Sequence, residues 1–119
     1  MQQPQKTVFD AEVKGVFSGD DLTMFIDLGV NGLFKQQRVR LEGVDTPNAV
    51  RQSHDSEAGQ VRSFVRSATQ GKTVQLTVTR FGEKSWVGII TIPQEDGDLN
   101  LNEALIAKGY KFIRDKAEQ

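Results

Sequence analysis

Val39-Arg40-Leu41-Glu42-Gly43-Val44-Asp45-Thr46-Pro47 reads as the end of an apolar strand running into a Gly-containing turn. Successive side chains of a strand point to opposite faces, so Val39, Leu41 and, past the bend, Val44 can enter a core. Arg40 and Asp45 are then left to project into one cleft. Upstream, Ser18-Gly19-Asp20-Asp21 places two further carboxylates in a tight turn between two strand-like runs. Two acidic turns and one arginine are the groups that a hard, oxygen-seeking cation and a phosphate require together.

The rest of the chain supplies a frame for that cleft. Thr7 to Phe17 alternates apolar and polar residues through Val8, Ala11, Val13 and Val16, with a break in register near Asp10, and predicts one long, bulged strand. Leu22 to Leu28 predicts a second strand, Val30-Asn31-Gly32-Leu33 a hairpin turn with the Asn-Gly signal, and Phe34 to Val44 a third strand. Asn48 to Ser53 is polar and irregular, as expected of an exposed loop. Apolar residues recur at helical spacing from Ser56 to Gln70, with Asp55 or Ser56 able to cap the start and Gly71 to end it. Thr73 to Phe81 and Ser85 to Ile92 predict a fourth and fifth strand. Asn102 is placed to cap a last helix, with Leu101 and Ile106 as a hydrophobic staple and Gly109 as its stop. Five strands with a helix between the third and fourth, and one C-terminal helix, match the α+β Greek-key barrel known as the OB-fold.

Composition bounds the possibilities. A chain of 119 residues holds one small core. Residues 1–6 read as a flexible N-terminal segment, 7–113 as the domain and 114–119 as a tail. Lys and Arg number 15 against 16 Asp and Glu, so no global positive field steers nucleic acid in and any such partner must meet a local patch. The lack of cysteine excludes disulfides, thiol catalysis and zinc–thiolate sites, while leaving the compartment open. No apolar run is long enough to cross a membrane, and residues 1–5 carry no signal-peptide core. A monomer is expected.

Three blocks resemble the staphylococcal nuclease-like domain family over roughly Phe9 to Tyr110. Ser18-Gly19-Asp20-Asp21 is similar to its D-G-D-T turn, and Val39 to Pro47 to its V-R-L-x-G-[IV]-D-[TA]-P block. Asn102-Glu103-Ala104-Leu105-Ile106, with Gly109, resembles its N-x-x-L-[VI]-x-x-G helix. Active relatives cleave DNA and RNA with Ca2+. The resemblance implies that Asp20, Asp45 and the Thr46 carbonyl would hold that ion, with Asp21 in place of the family's threonine, and that Arg40 would clamp phosphate. Such a donor set is sensible calcium chemistry, and a planar guanidinium suits two phosphate oxygens.

Two other family groups have no counterpart. Relatives place a glutamate that activates water directly after the proline; Asn48 stands there, and an amide cannot accept that proton. Relatives carry a second arginine in a D-x-Y-G-R turn, which falls on Glu83 when aligned on Phe81-Gly82 and on Ser85 when aligned on Val87-Gly88. Lys84 can offer only a point charge. The expected function is therefore nucleic-acid or phosphodiester binding with impaired catalysis. An atypical Ca2+-dependent nuclease acting on single-stranded DNA or RNA, or a protein-interaction module with a vestigial cleft, are the alternatives. Arg40 could instead serve a structural pair with Asp45, Asp20 or Glu42, and Glu42 or Glu57 could stand in as a base. His54 reads as a solvated loop residue and the Arg62/Arg66 pair as a solvated helix face. Trp86 and Phe81 are candidates either for base stacking or for core filling.

Overall fold

The computed structural model describes residues 6–47 and 56–112. The expectations attached to residues 1–5, Asn48, the loop through Ser53, His54, Asp55 and residues 113–119 lie outside the described residues. The elements are β1 (Val8–Ser18), β2 (Asp21–Asp27), β3 (Phe34–Leu41), α1 (Glu57–Thr69), β4 (Thr73–Phe81), β5 (Trp86–Ile92), β6 (Leu99–Asn100) and α2 (Leu101–Ala107). The first three strands form an antiparallel meander, β4 pairs with the other edge of β1, and β5 follows β4. A parallel pairing between β3 and β5 closes the five strands into a barrel. The result is an OB-like barrel, mainly β, with α1 between β3 and β4 and α2 at the C-terminal end.

Alternation fills the interior. Leu22, Met24 and Ile26 of β2, Val39 and Leu41 of β3, and Val74, Leu76 and Val78 of β4 are all buried, facing Val61 and Val65 of α1 and Leu101 and Leu105 of α2. The Val30–Leu33 turn forms as expected, closed by Leu33 N–H donating to the Val30 carbonyl at 2.8 Å with Gly32 at φ +79°. Ser56 caps α1 by accepting from Gly59 N–H at 3.0 Å, and Gly71 follows at φ +71°.

Several boundaries differ from expectation, each for a local reason. In β1 it is Phe9 that enters the core while Val8 is exposed, and the register breaks fall after Val13 and Val16, leaving Lys14 and Phe17 as extra residues rather than a bulge near Asp10. β3 ends at Leu41, because Gly43 at φ +73° turns the chain; Val44 returns as a single bridge to Lys111. α2 is capped by Asn100, whose side chain accepts from Glu103 N–H at 3.0 Å, and not by Asn102. Leu101 is therefore the first helical residue, fully buried, rather than the residue before a cap. The two-residue β6 has no strong pattern of its own and forms by pairing with Thr91 and Ile92.

Candidate functional site

The β1–β2 turn is pressed tightly against its surroundings, and glycine makes that possible. A Cβ at Gly19 would lie 2.5 Å from Val61 Cγ1 and 2.9 Å from Thr46 Cγ2, so turn, helix and post-β3 loop meet only where no side chain intervenes. Leu41 N–H donates to the Asp20 carbonyl at 3.0 Å, fixing the turn to the end of β3. The loop beyond is pinned in turn by Asp45 N–H donating to the Tyr110 carbonyl at 2.9 Å and Phe112 N–H to the Gly43 carbonyl at 2.8 Å. These bonds bring together five residues singled out from sequence: Asp20, Asp21, Arg40, Asp45 and Thr46 line one cavity of about 250 Å³, joined by Ser18 and Arg38.

Within it, Asp20 and Asp21 each meet an arginine, and Asp45 is the third carboxylate of the lining. Asp20, only 4% exposed, accepts from the Thr46 hydroxyl at 2.9 Å through Oδ1 and from Arg40 at 3.3 Å through Oδ2. Asp21 is gripped at both oxygens by Arg38, at 2.8 Å and 2.6 Å, with Arg40 3.9 Å from Oδ2. Asp21 lies directly opposite Arg40 in the β2–β3 ladder, and Arg38 is two residues back on the same face. The bidentate carboxylate holds Arg38 still more firmly in its charged form. Burial raises the Asp20 carboxyl above its ordinary 3.8, opposed by the Thr46 hydrogen bond and by Arg40, and reinforced by Asp45.

That raised carboxyl has a consequence for stability. The folded protein holds the Asp20 proton more tightly than the unfolded chain, so its contribution is present at low pH and is lost as pH rises from 3.8 through the raised value. Asp20→Asn keeps an oxygen for the Thr46 hydroxyl and removes the buried charge. We expect its stability to gain on that of the parent as pH rises from 3.8 through the raised value, as read from urea unfolding at several pH values.

The donors are hard oxygens, which suit Ca2+ chemically. Both oxygens of Asp20 and both of Asp21 already have partners in Thr46, Arg40 and Arg38, so an ion at Asp20 would share Oδ2 with Arg40. Among the described residues no group of three or more His, Cys, Asp or Glu side chains is placed to hold a metal.

The remaining candidates lie elsewhere. Lys84 is exposed in the β4–β5 turn, its carbonyl accepting from Gln37 at 3.5 Å, and does not line the cavity. Glu42 accepts from the Thr79 hydroxyl and Glu57 from the Tyr110 hydroxyl, both at 3.3 Å and both outside the cavity. Trp86 packs edge-on to Phe81 at 4.8 Å and against Phe9 at 5.8 Å, against the buried core cluster. Arg40 takes Asp20 and Asp21 as partners, and Glu42 is turned away because the strand has already ended. Arg38 joins the cavity beyond the expected residues, and the two-residue period of the strand carries the signal: a residue two before Arg40 shares its face.

The fold and site define an OB-like barrel with a polar cleft at the β1–β2 turn. No family model matches the chain, and no curated protein matches it.

Proposed function

We propose that this chain is a staphylococcal nuclease-like OB protein that binds the phosphodiester backbone of single-stranded nucleic acid and cleaves it poorly or not at all. The observation that carries this reading is the pairing of Arg38 and Arg40 on one strand face at the mouth of a polar cavity, with side chains 51% and 53% exposed. Guanidinium groups in that position can exchange a carboxylate oxygen for a phosphate oxygen without losing their scaffold. Arg38 would supply the second clamp that the family draws from its β4–β5 turn. The balanced net charge of −1 calls for such a local patch.

Catalysis is the weaker half of the inheritance. Asn48 takes the position of the water-activating glutamate, and Glu83 or Ser85 that of the second arginine. Loss of a general base costs about a hundredfold to ten-thousandfold, and loss of an electrostatic clamp about a hundred- to a thousandfold more. A Ca2+-dependent nuclease is the second reading, favoured by Asp20, Asp45 and Thr46 sharing one cavity.

A cleavage assay separates the two. Labelled single-stranded DNA and RNA are incubated with Ca2+ and a high concentration of parent, Asp45→Ala or Asn48→Glu protein. We expect no cleavage by the parent and slow cleavage by Asn48→Glu. Cleavage by the parent that disappears in Asp45→Ala would establish an enzyme and overturn the binding-only reading.

A further inference from the structure

The outer face of β1, β2 and β3 carries aromatic rings that the core does not use. The two extra residues of β1, Lys14 and Phe17, are those displaced by its bulges, a distortion that re-aims side chains. Phe17 is 40% exposed, and the Arg38 guanidinium lies 4.9 Å from its ring centre. Farther along the same face Phe25 and Phe34 stack with centres 5.0 Å apart and planes 7° from parallel. The Lys14 ammonium stands 5.7 Å from the Phe25 ring, and Phe34 is 47% exposed. Of the exposed large apolar side chains, both phenylalanines within the barrel strands therefore fall on this one face.

We infer that this face is a base-stacking track for single-stranded nucleic acid, with phosphates held at Arg38 and Arg40 and bases laid on Phe17 and Phe34. The inference rests on the phosphate-binding reading of the adjacent cavity and extends it to the bases. Each ring cluster has a cation beside it, the combination of stacking surface and positive charge that a chain of alternating bases and phosphates matches. The face also carries carboxylates: Asp21 is held by Arg38, Glu12 lies 3.9 Å from Lys14, Asp27 accepts from Gly29 N–H at 2.8 Å, and Asp10 is exposed on β1. Phe34 and Arg38 are four residues apart on one strand, a span of about 13 Å, which places stacking and phosphate contacts within reach of one short oligonucleotide. An apolar protein partner would not need cations over the rings.

The test compares two probes on the full chain by fluorescence anisotropy: a labelled oligothymidylate and an abasic deoxyribose-phosphate oligomer of the same length. Oligothymidylate is expected to bind about tenfold or more tightly than the abasic oligomer. Phe17→Ala and Phe34→Ala should each remove most of that preference, lowering affinity for oligothymidylate far more than for the abasic oligomer. Phe34→Leu, which keeps apolar bulk in the hairpin, should lose the preference as well and guards against a folding defect. Equal affinity for the two probes, or a preference unaffected by the phenylalanine variants, overturns the track while sparing the phosphate site. Absence of binding to both probes overturns the phosphate site and the track together.

Discussion

Asn102→Leu is expected to destabilise the protein by about 3 to 4 kcal/mol, far more than its exposed neighbours would. The Asn102 side chain is buried and joins three elements: Oδ1 accepts from Ile90 N–H at 3.0 Å, and Nδ2 donates to the carbonyls of Glu42 at 2.9 Å and Gly88 at 3.0 Å. Gly88 O keeps a second donor in Glu42 N–H at 2.8 Å, so the Ile90 amide and the Glu42 carbonyl bear most of the loss. A buried polar group left without its partner costs about 1–3 kcal/mol. Set against a total stability of about 5–15 kcal/mol, the loss should lower the melting temperature by roughly 15 °C. Asn100→Ala removes only the α2 cap and should cost about 1 kcal/mol. Urea unfolding of the two variants side by side checks the contrast. Equal effects would mean that Asn102 is an ordinary helix residue, and that α2 does not brace the end of β3 where Arg40 sits.

Replacing Arg38 and Arg40 together by alanine should weaken binding of a single-stranded oligonucleotide by a hundredfold or more. A hydrogen bond to a charged group contributes about 1.5–3 kcal/mol, which is roughly a tenfold to a hundredfold effect per arginine. The two are neighbours on β3 and share Asp21 through contacts of 2.6 Å and 3.9 Å, so their losses should not add cleanly. Arg→Lys at either position keeps the charge and loses the planar two-point grip, giving an intermediate loss. Lys84→Ala should change little, because Lys84 is exposed outside the cavity. Arg38→Ala also strips a buried carboxylate of its partner, so melting temperatures must be recorded beside the affinities. If Lys84→Ala weakens binding as much as the arginine variants do, the ligand lies over the β4–β5 turn and not in the cleft.

Much of this could be read from residue patterns. β4 runs over Thr73–Phe81 as its alternation predicts, α1 starts at its serine cap, and the Asn-Gly turn closes as expected. Five site residues on three chain segments were nominated together and do meet in one cavity. What was hidden depended on tertiary contacts. A bulge shifts alternation by one residue, and in β1 several positions fit the pattern equally well until pairing with β2 chooses Lys14 and Phe17. Asn100 and Asn102 both suit a helix start; only the backbone groups of Glu42, just past β3, and of β5 that meet Asn102 decide between them. Trp86 and Phe81 fit stacking and core filling alike by sequence; in the fold both are partly buried, and Trp86 packs against Phe9. Arg38 directly precedes the family block and shares the face of Arg40 by the two-residue strand period, but only its pairing with Asp21 places it at the cleft.

The most direct measurement is the salt dependence of oligonucleotide binding by the parent and by the Arg38→Ala/Arg40→Ala protein. Each phosphate neutralised on a single strand contributes about −0.7 to the slope of log affinity against log salt. The parent is predicted to show a slope steeper than the double variant by about 1.4. A parent slope near zero, or the same slope in both proteins, would contradict phosphate recognition by this pair.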